Sequence, residues 1–294
     1  MTLKQYLAAR IAIIDRALDA WVPAETVEPE TIHRAMRYSL FAGGKRIRPI
    51  LCMAAADVVQ LEAPGVAEAA ATLEMIHTYS LIHDDLPALD NDDLRRGQAT
   101  NHKVFGDAMA ILAGDSLLTL AFQVLGSLSH VEAATRCALV VELASASGTV
   151  RGMIGGQVHD IEGEGHHPSA ALLEKIHRAK TGALLRASVR MGAIYAGANP
   201  ADLASLSEYG EHAGLAFQIV DDILDIEESS EALGKTAGKD LHQQKITFPA
   251  VYGLAESRRM AEEERQKAHA ALVRFGDRGT RLLEIADLIV DRKS

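Results

Sequence analysis

The sequence predicts an all-α helical bundle in one domain, 1–294, and three observations carry that reading. Apolar residues make up 48% of the 294 positions, Ala and Leu are abundant, and aromatics stand at only 4%. Ala and Leu lose little side-chain entropy in a helix, so the composition leans that way. Apolar positions recur at three-to-four spacing along most of the chain, and no segment alternates convincingly as a strand. Breakers fall between these periodic stretches, with no Pro- or Gly-rich linker, and a chain of this length can bury one substantial core.

Taken in order, the first helical pattern covers 3–20; it is amphipathic and carries Asp15, which argues against a signal or transit peptide. Pro23 and Pro29 separate it from 30–41, Gly43 and Gly44 precede 46–60, and Pro64-Gly65 precedes 67–84. Within 67–84, Leu73, Ile76 and Leu81 and the special positions His77, Ser80 and Asp84 recur at helical spacing, and Pro87 follows. The remaining patterns run over 107–127, 131–162, 169–197, 201–227, 246–272 and 279–290, interrupted by Gly163 to Pro168, Asn199-Pro200 and Gly234 to Gly238.

A net charge of −10 makes nucleic acid or an anionic membrane a poor partner, since both call for a basic footprint. No stretch is expected to reach the roughly 18 apolar residues that span a bilayer. Cys52 and Cys137, with no CxxC, are expected to be buried reduced thiols of a cytoplasmic protein.

Two acidic patches carry the chemistry. In "HDDLPALDNDDLRRG", 83–97, Asp84 lies two helical turns beyond His77 on nearly the same face. Pro87 bars the helix from continuing, so Asp84 and Asp85 occupy a helix C-terminus and Asp90 returns from a loop. Acids are unfavourable there against the helix dipole, and the choice is between a solvated loop and a site awaiting cations. In "FQIVDDILDI", 217–226, Gln218, Asp221, Asp222 and Asp225 at i, i+3, i+4 and i+7 form one polar stripe on an otherwise apolar helix. Buried carboxylates need partners: a hard divalent cation bridging to phosphate, or Lys and Arg from a neighbouring helix.

Among the basic segments, "GGKRIRP" at 43–49 suits an anion pocket at a helix start or a solvated basic loop. "GKTAGKD" at 234–240 lacks the spacing and preceding strand of a nucleotide P-loop, and reads as a glycine-hinged lid carrying Lys235 and Lys239. His33, His102, His130, His166, His167, His177, His212 and His242 show no metal-ligand spacing. A phosphohydrolase built on His83-Asp84 would need further spaced histidines, which are missing.

With these segments in hand, the chain resembles the trans-polyprenyl diphosphate synthases of the short-chain bacterial type. The likeness runs through "GGKRIRP", "EMIHTYSLIHDDLPALDNDDLRRG", "NHKVFGDAMAILAGD", "GGQVHD", "KTG", "FQIVDDILD" and "GKTAGKD…KITFP", in that order over nearly the whole chain. It implies the isoprenoid synthase fold, a helical bundle around a central cavity, usually as a homodimer. It implies condensation of isopentenyl diphosphate with dimethylallyl or geranyl diphosphate, with three Mg2+ ions, Mn2+ being an alternative. By resemblance, Asp84, Asp90 and Asp221 hold the metals, and Asp85, Asp222 and Asp225 support them. Arg95, Lys180, Gln218 and Lys235 complete the allylic diphosphate site, with Lys239 on the same loop. Lys45, Arg48, His77 and Arg96 hold isopentenyl diphosphate, and dipoles of Lys180 and Thr181 face the carbocation. Tyr79, five residues ahead of Asp84, and Ser80 set chain length; an aromatic there implies farnesyl diphosphate, a smaller residue the geranylgeranyl product. Phe248 departs from the family's usual tyrosine, and "GQATNHK" from the commoner "GKPTNHK". An inert synthase-like subunit would have lost an aspartate motif, and a terpene cyclase would carry an Asn/Ser/Glu motif in place of "DDILD".

Overall fold

The computed structural model describes residues 1–165, 169–227 and 246–292. The fold is all-α. Contacts group the chain into two compact units, Met1–Ile50 with Pro64–Val140, and Leu51–Ala63 with Val141–Ser294. The sequence gives no sign of this division because two of its borders, after Ile50 and after Val140, fall inside α3 and α7 and not in linkers.

Unit one contains α1 (Leu3–Trp21), α2 (Glu30–Leu40), the start of α3 (Ile47–Val59), α4 (Val66–Asp84), the short α5 (Asn101–Phe105), α6 (Asp107–Ser127) and the first half of α7 (Ala133–Ser147). Helix α1 starts where Thr2 accepts from Gln5 N and the Gln5 side chain accepts from Thr2 N, at 3.3 and 3.0 Å. This reciprocal cap satisfies two backbone donors that a helix start otherwise leaves open. Gly65 takes a left-handed conformation, φ 74°, and launches α4 after Pro64. Helix α4 is buried on nearly every side, from Ala69 through Leu73 and Ile76 to Ile82, with α1, α2 and α6 packed against it. Each such Leu or Ile contributes about 1.5–3 kcal/mol by leaving water. Gly114 of α6 is required there, since a Cβ would stand 2.1 Å from Nε2 of His83.

Helix α6 corrects one expectation, because by length and composition alone it is long and apolar enough to cross a membrane. One face of it, with Ala110, Ala113 and Leu117, is buried; the helix packs along α4, and His83 Nε2 lies 3.0 Å from the Ile111 carbonyl. A two-stranded hairpin, β1 (Leu94–Arg95) with β2 (Gln98–Ala99), is also absent from the sequence reading. Its turn residues Arg96 and Gly97 both have positive φ, 53° and 75°, the pattern of a type I′ turn. Two-residue strands are too short to show alternation, and Arg-Gly is not the usual signal for this turn.

Unit two contains the rest of α3 and α7, then α8 (Met153–Gly163), α9 (Ala170–His177), a π-helical turn (Arg178–Gly182), α10 (Ala183–Tyr195), α11 (Pro200–Glu227), α12 (Phe248–Tyr252), α13 (Leu254–Leu272), a 3-10 segment (Val273–Gly279) and α14 (Thr280–Asp291). Three continuous patterns of the sequence are therefore interrupted. The stretch 131–162 breaks where Gly148 and Gly152 approach neighbouring carbonyls, 169–197 contains the π turn, and 246–272 breaks at Gly253, φ 80°. Asn199 caps α11 by accepting from Ala201 N and Asp202 N at 3.0 Å each. Helix α11, 28 residues long, packs along α10 and α13 and buries Tyr209, whose hydroxyl donates to the Leu282 carbonyl at 2.7 Å. Helix α10 meets α3 at Gly192, where a Cβ would lie 1.9 Å from the Cys52 carbonyl. Both cysteines are free; Cys52 is buried, but Cys137 is exposed, contrary to expectation.

Candidate functional site

In unit one, helix α4 ends at Asp84, and the chain folds back so that Asp90 N donates to the Asp84 carbonyl at 2.8 Å. Asn91, in a left-handed conformation, and Asp92 add backbone bonds to Leu86 and Asp85, at 3.1 Å each. Asp84 and Asp90 are thus brought together half-exposed at the helix end. Asp85 points elsewhere. It is buried and accepts from Arg95 Nε and Nη2 at 2.6–2.9 Å, a bidentate pair that fixes the guanidinium plane. Burial is the largest influence on this carboxyl and pushes its pKa up, against the pull of Arg95. Asp92 lies 4.0 Å from Arg95, and Asp93 pairs with Lys103 at 2.7 Å.

The "GGKRIRP" segment divides its three cations. Arg46 is buried and tied to Glu74 at 2.8 Å, Asp15 at 3.1 Å and the Leu40 carbonyl at 2.8 Å, so it is a structural hub. Lys45 stays exposed and Arg48 half-buried at the start of α3. Arg96 donates to the Gly43 carbonyl, and its guanidinium would lie 2.9 Å from a Cβ on Gly44, so the Gly-Gly turn exists to admit it. Arg46 and Arg96 both hold positive φ, 50° and 53°, strain of about 1–3 kcal/mol each of the sort that collects at functional sites. His77 lies in this group. Burial first, then Arg48, Arg96, Arg95 and Arg46, hold its pKa well below the ordinary value, so the ring is neutral among guanidinium groups. Ser80 donates to the His77 carbonyl at 2.8 Å. Tyr79 is 5% exposed, packed edge-on to His83 with ring centroids 5.7 Å apart. Burial and nearby Asp84 push its hydroxyl pKa up to about 12.

In unit two, Lys180 and Thr181 sit in the π turn, a local distortion often found at functional sites. The Lys180 ammonium donates to Asp160 Oδ2 at 2.5 Å. Gly156, one turn before Asp160, lies so close to this turn that a Cβ would stand 2.2 Å from Lys180 N. The glycine that admits the turn and the carboxylate that holds it therefore share one face of α8. On α11, Gln218 donates to Asp222 Oδ1 at 2.8 Å, which confirms the i, i+4 stripe. Asp222 Oδ2 accepts from Phe248 N at 2.9 Å and lies 3.3 Å from His177 Nε2. Its carboxylate accepts two hydrogen bonds with the His177 ring beside it, and that ring stacks on Phe248 at 5.2 Å. Asp221 is exposed and pairs with Arg292 at 3.1 Å, whose guanidinium lies over the Phe217 ring at 4.1 Å. Asp225 is buried one turn further along. Lys235 and Lys239 lie outside the described residues.

Sequence reasoning missed Asp160 and His177. Asp160 stands in the quoted "GGQVHD" segment, and its i+4 spacing from Gly156 was a usable signal. His177 offered none, because its partner is 45 residues away.

Among the described residues no three His, Cys, Asp or Glu side chains are gathered to enclose a metal by themselves. The exposed carboxylates nonetheless suit Mg2+, which takes oxygen donors and is commonly held by one or two carboxylates together with substrate phosphates and water. Asp84, Asp90 and Asp221 fit that partial role; Asp85 and Asp222 are occupied with protein partners.

The family model described as polyprenyl synthetase matches residues 29–277. The chain is 48% identical over 296 residues to the heterodimeric geranylgeranyl pyrophosphate synthase large subunit 1, chloroplastic, of Arabidopsis thaliana, covering 98% of this chain and 79% of that protein. It is 45% identical over 295 residues to a dimethylallyltranstransferase of Fischerella ambigua, covering 99% and 84%. Among solved structures, an FPP/GFPP synthase from Zymomonas mobilis superposes with a TM-score of 0.86 at 36% identity, over 98% of both chains. With the family model matched over 29–277, relatives 45–48% identical over nearly the whole chain and the helical fold shared, the chain belongs to the polyprenyl synthetase family of prenyltransferases.

Proposed function

We propose that the enzyme is a magnesium-dependent short-chain synthase that joins isopentenyl diphosphate to dimethylallyl and geranyl diphosphates and stops at farnesyl diphosphate. The observation that carries the product length is Tyr79, a bulky side chain buried in the core one and a half turns behind Asp84. A hydrocarbon tail growing away from a diphosphate held at Asp84 meets that ring about 7.5 Å along the helix. The second reading, a geranylgeranyl product, is favoured by the names of relatives such as the Arabidopsis thaliana protein.

Asp84, Asp90 and Asp221 are the magnesium ligands in this reading, with Asp225 in support. Magnesium held by these carboxylates would supply charge neutralisation for the diphosphate as the allylic C–O bond ionises. Arg95, fixed by Asp85, offers two-point contact to that diphosphate, joined by Lys180, Gln218 and Lys235. Lys45, Arg48 and Arg96 receive isopentenyl diphosphate around a neutral His77, whose ring adds a hydrogen bond without a further positive charge. The carbonyl and hydroxyl dipoles of Lys180 and Thr181 stabilise the allylic cation until the isopentenyl double bond attacks it. The proton then lost goes to the departing diphosphate.

The same reading includes a homodimer in the cytoplasm. It is supported by the exposed Ile111 and Leu112 on α6, 45% and 51% accessible, and by the two free cysteines. Incubation with isopentenyl diphosphate, each primer and Mg2+, followed by sizing of the alcohols, tests it. Fifteen carbons from the native chain and longer products from Tyr79→Met are expected. A twenty-carbon product from the native chain would establish the second reading, and no condensation with any primer would overturn both.

A further inference from the structure

Unit two holds a cleft that the proposed chemistry does not use. Its volume is about 870 Å³, and α7, α8, α9, the π turn, α10 and α11 wall it. Val150, Ala171, Ala183 and Leu215 give it apolar surface. Its charge is uneven. Three acids line it, and each is already held: Glu142 by Arg190 at 2.7 and 2.9 Å, Glu174 by Arg178 at 2.8 Å, and Glu211 by Arg178 at 2.6 Å. Arg151, Lys175 and Arg186 line the same cleft, exposed and with no acidic partner among the described residues. Because Arg178 alone answers two of the acids, five cations, Arg190 included, face three carboxylates around the cleft, an excess that runs against the 40 acidic and 30 basic residues of the whole chain. The backbone of Arg151 is also held in the left-handed region, φ 56°, where a non-glycine residue is costly.

A cavity of this size is typical of small-molecule sites. Apolar walls call for a hydrocarbon body, and unneutralised cations for an anionic head. We propose that the cleft is a second, non-catalytic site for a prenyl diphosphate, with its head on Arg151, Lys175 and Arg186 and its chain along the apolar wall. The identity of the ligand rests on the function proposed above. The walls give the site a consequence. Arg178, Ala179 and Gly182 of the π turn line the cleft, and that turn carries Lys180 against Asp160. His177 lines it too, and touches Asp222. A ligand in the cleft bears on both contacts, so accumulated product restrains the enzyme without competing for the allylic site.

Equilibrium dialysis of the full chain with radiolabelled farnesyl diphosphate in EDTA tests this, because metal-held diphosphate binding is then abolished while side-chain cations remain. The native chain and Asp84→Asn should bind equally. Arg151→Ala/Lys175→Ala/Arg186→Ala should bind at least about tenfold more weakly, a loss of ~1.4 kcal/mol or more. Val150→Asp places a carboxylate on an 83% exposed wall position, spares the fold, and should weaken binding similarly. With Mg2+, the triple variant should keep its initial rate and lose non-competitive product inhibition. No binding in EDTA, binding untouched by either variant, or inorganic diphosphate binding as tightly as farnesyl diphosphate would overturn the site. Failure to condense substrates in Mg2+ would instead strike the proposed function and leave the dialysis result standing.

Discussion

The two aspartate-rich segments have similar composition and different physics. Both contain an Asp-Asp doublet whose members are about 100° apart around a helix, so one can face outward while the next turns in. Asp84 and Asp221 are the outward members, and Asp85 and Asp222 the buried ones. The contrast lies in what the buried member holds. Asp85 grips Arg95, a cation of the candidate site, so its role is electrostatic alignment. Asp222 accepts from the Phe248 backbone N–H and the Gln218 amide and lies 3.3 Å from His177 Nε2, so its role is architectural. In each doublet one carboxylate reaches solvent while its neighbour is committed to the protein.

The strongest way to break this comparison is to neutralise the outward members. Asp84→Asn and Asp221→Asn should each lower kcat by about 10²–10³ through lost stabilisation of developing charge, with unchanged melting temperature. Loss of fold in either would refute the outward assignment. Among the buried members, Asp222→Asn should cost about 1–3 kcal/mol in denaturant unfolding by leaving donors unpaired. Asp85→Asn should leave stability nearly intact and raise KM for the allylic diphosphate; equal stability losses in the two variants would erase the distinction.

A third test concerns the support for Lys180. Gly156→Ala forces a Cβ to within 2.2 Å of the Lys180 backbone, so strain of about 1–3 kcal/mol and a lower kcat are expected. A variant with native kcat would show that the π turn tolerates displacement.

The smallest effect is the pH dependence of His77. Burial and the surrounding arginines depress its folded pKa below the unfolded value of 6.5. Below that pH the unfolded chain takes up a proton that the folded chain refuses. Its contribution is therefore fully present above about pH 6.5 and is lost as pH falls through the depressed folded pKa. His77→Gln should flatten that part of the stability profile measured by thermal melting. An unchanged acid limb would mean that the ring is not held neutral.

Much of the fold was legible in periodicity and breakers. Helix α1 runs over Leu3–Trp21 against an expected 3–20, and α6 over the expected 107–127, because capping residues and Pro or Gly act locally. Two of the misses have a common cause: the π turn and the Arg96-Gly97 hairpin depend on neighbours distant in sequence, whereas the break around Gly152 is local, set by the nearby Ser145 and Gly148 carbonyls. Gly156 against Lys180 is one example, and Gly44 admitting Arg96 another. Periodicity carries no record of such approaches.

By itself the sequence determined the helical class, the ends of most helices, the two acidic segments and the i, i+4 stripe of α11. These follow from backbone geometry and residue chemistry within a few turns. Tertiary structure decided which member of each doublet is buried, which of Lys45, Arg46 and Arg48 became a structural hub, and that Asp160 and His177 brace the candidate site. The direction a charge faces is set by what surrounds it: Arg46 turns inward because Glu74, Asp15 and a carbonyl wait there, while Lys45 beside it is exposed. Burying an ion requires partners gathered from several elements, and only the folded chain brings those together.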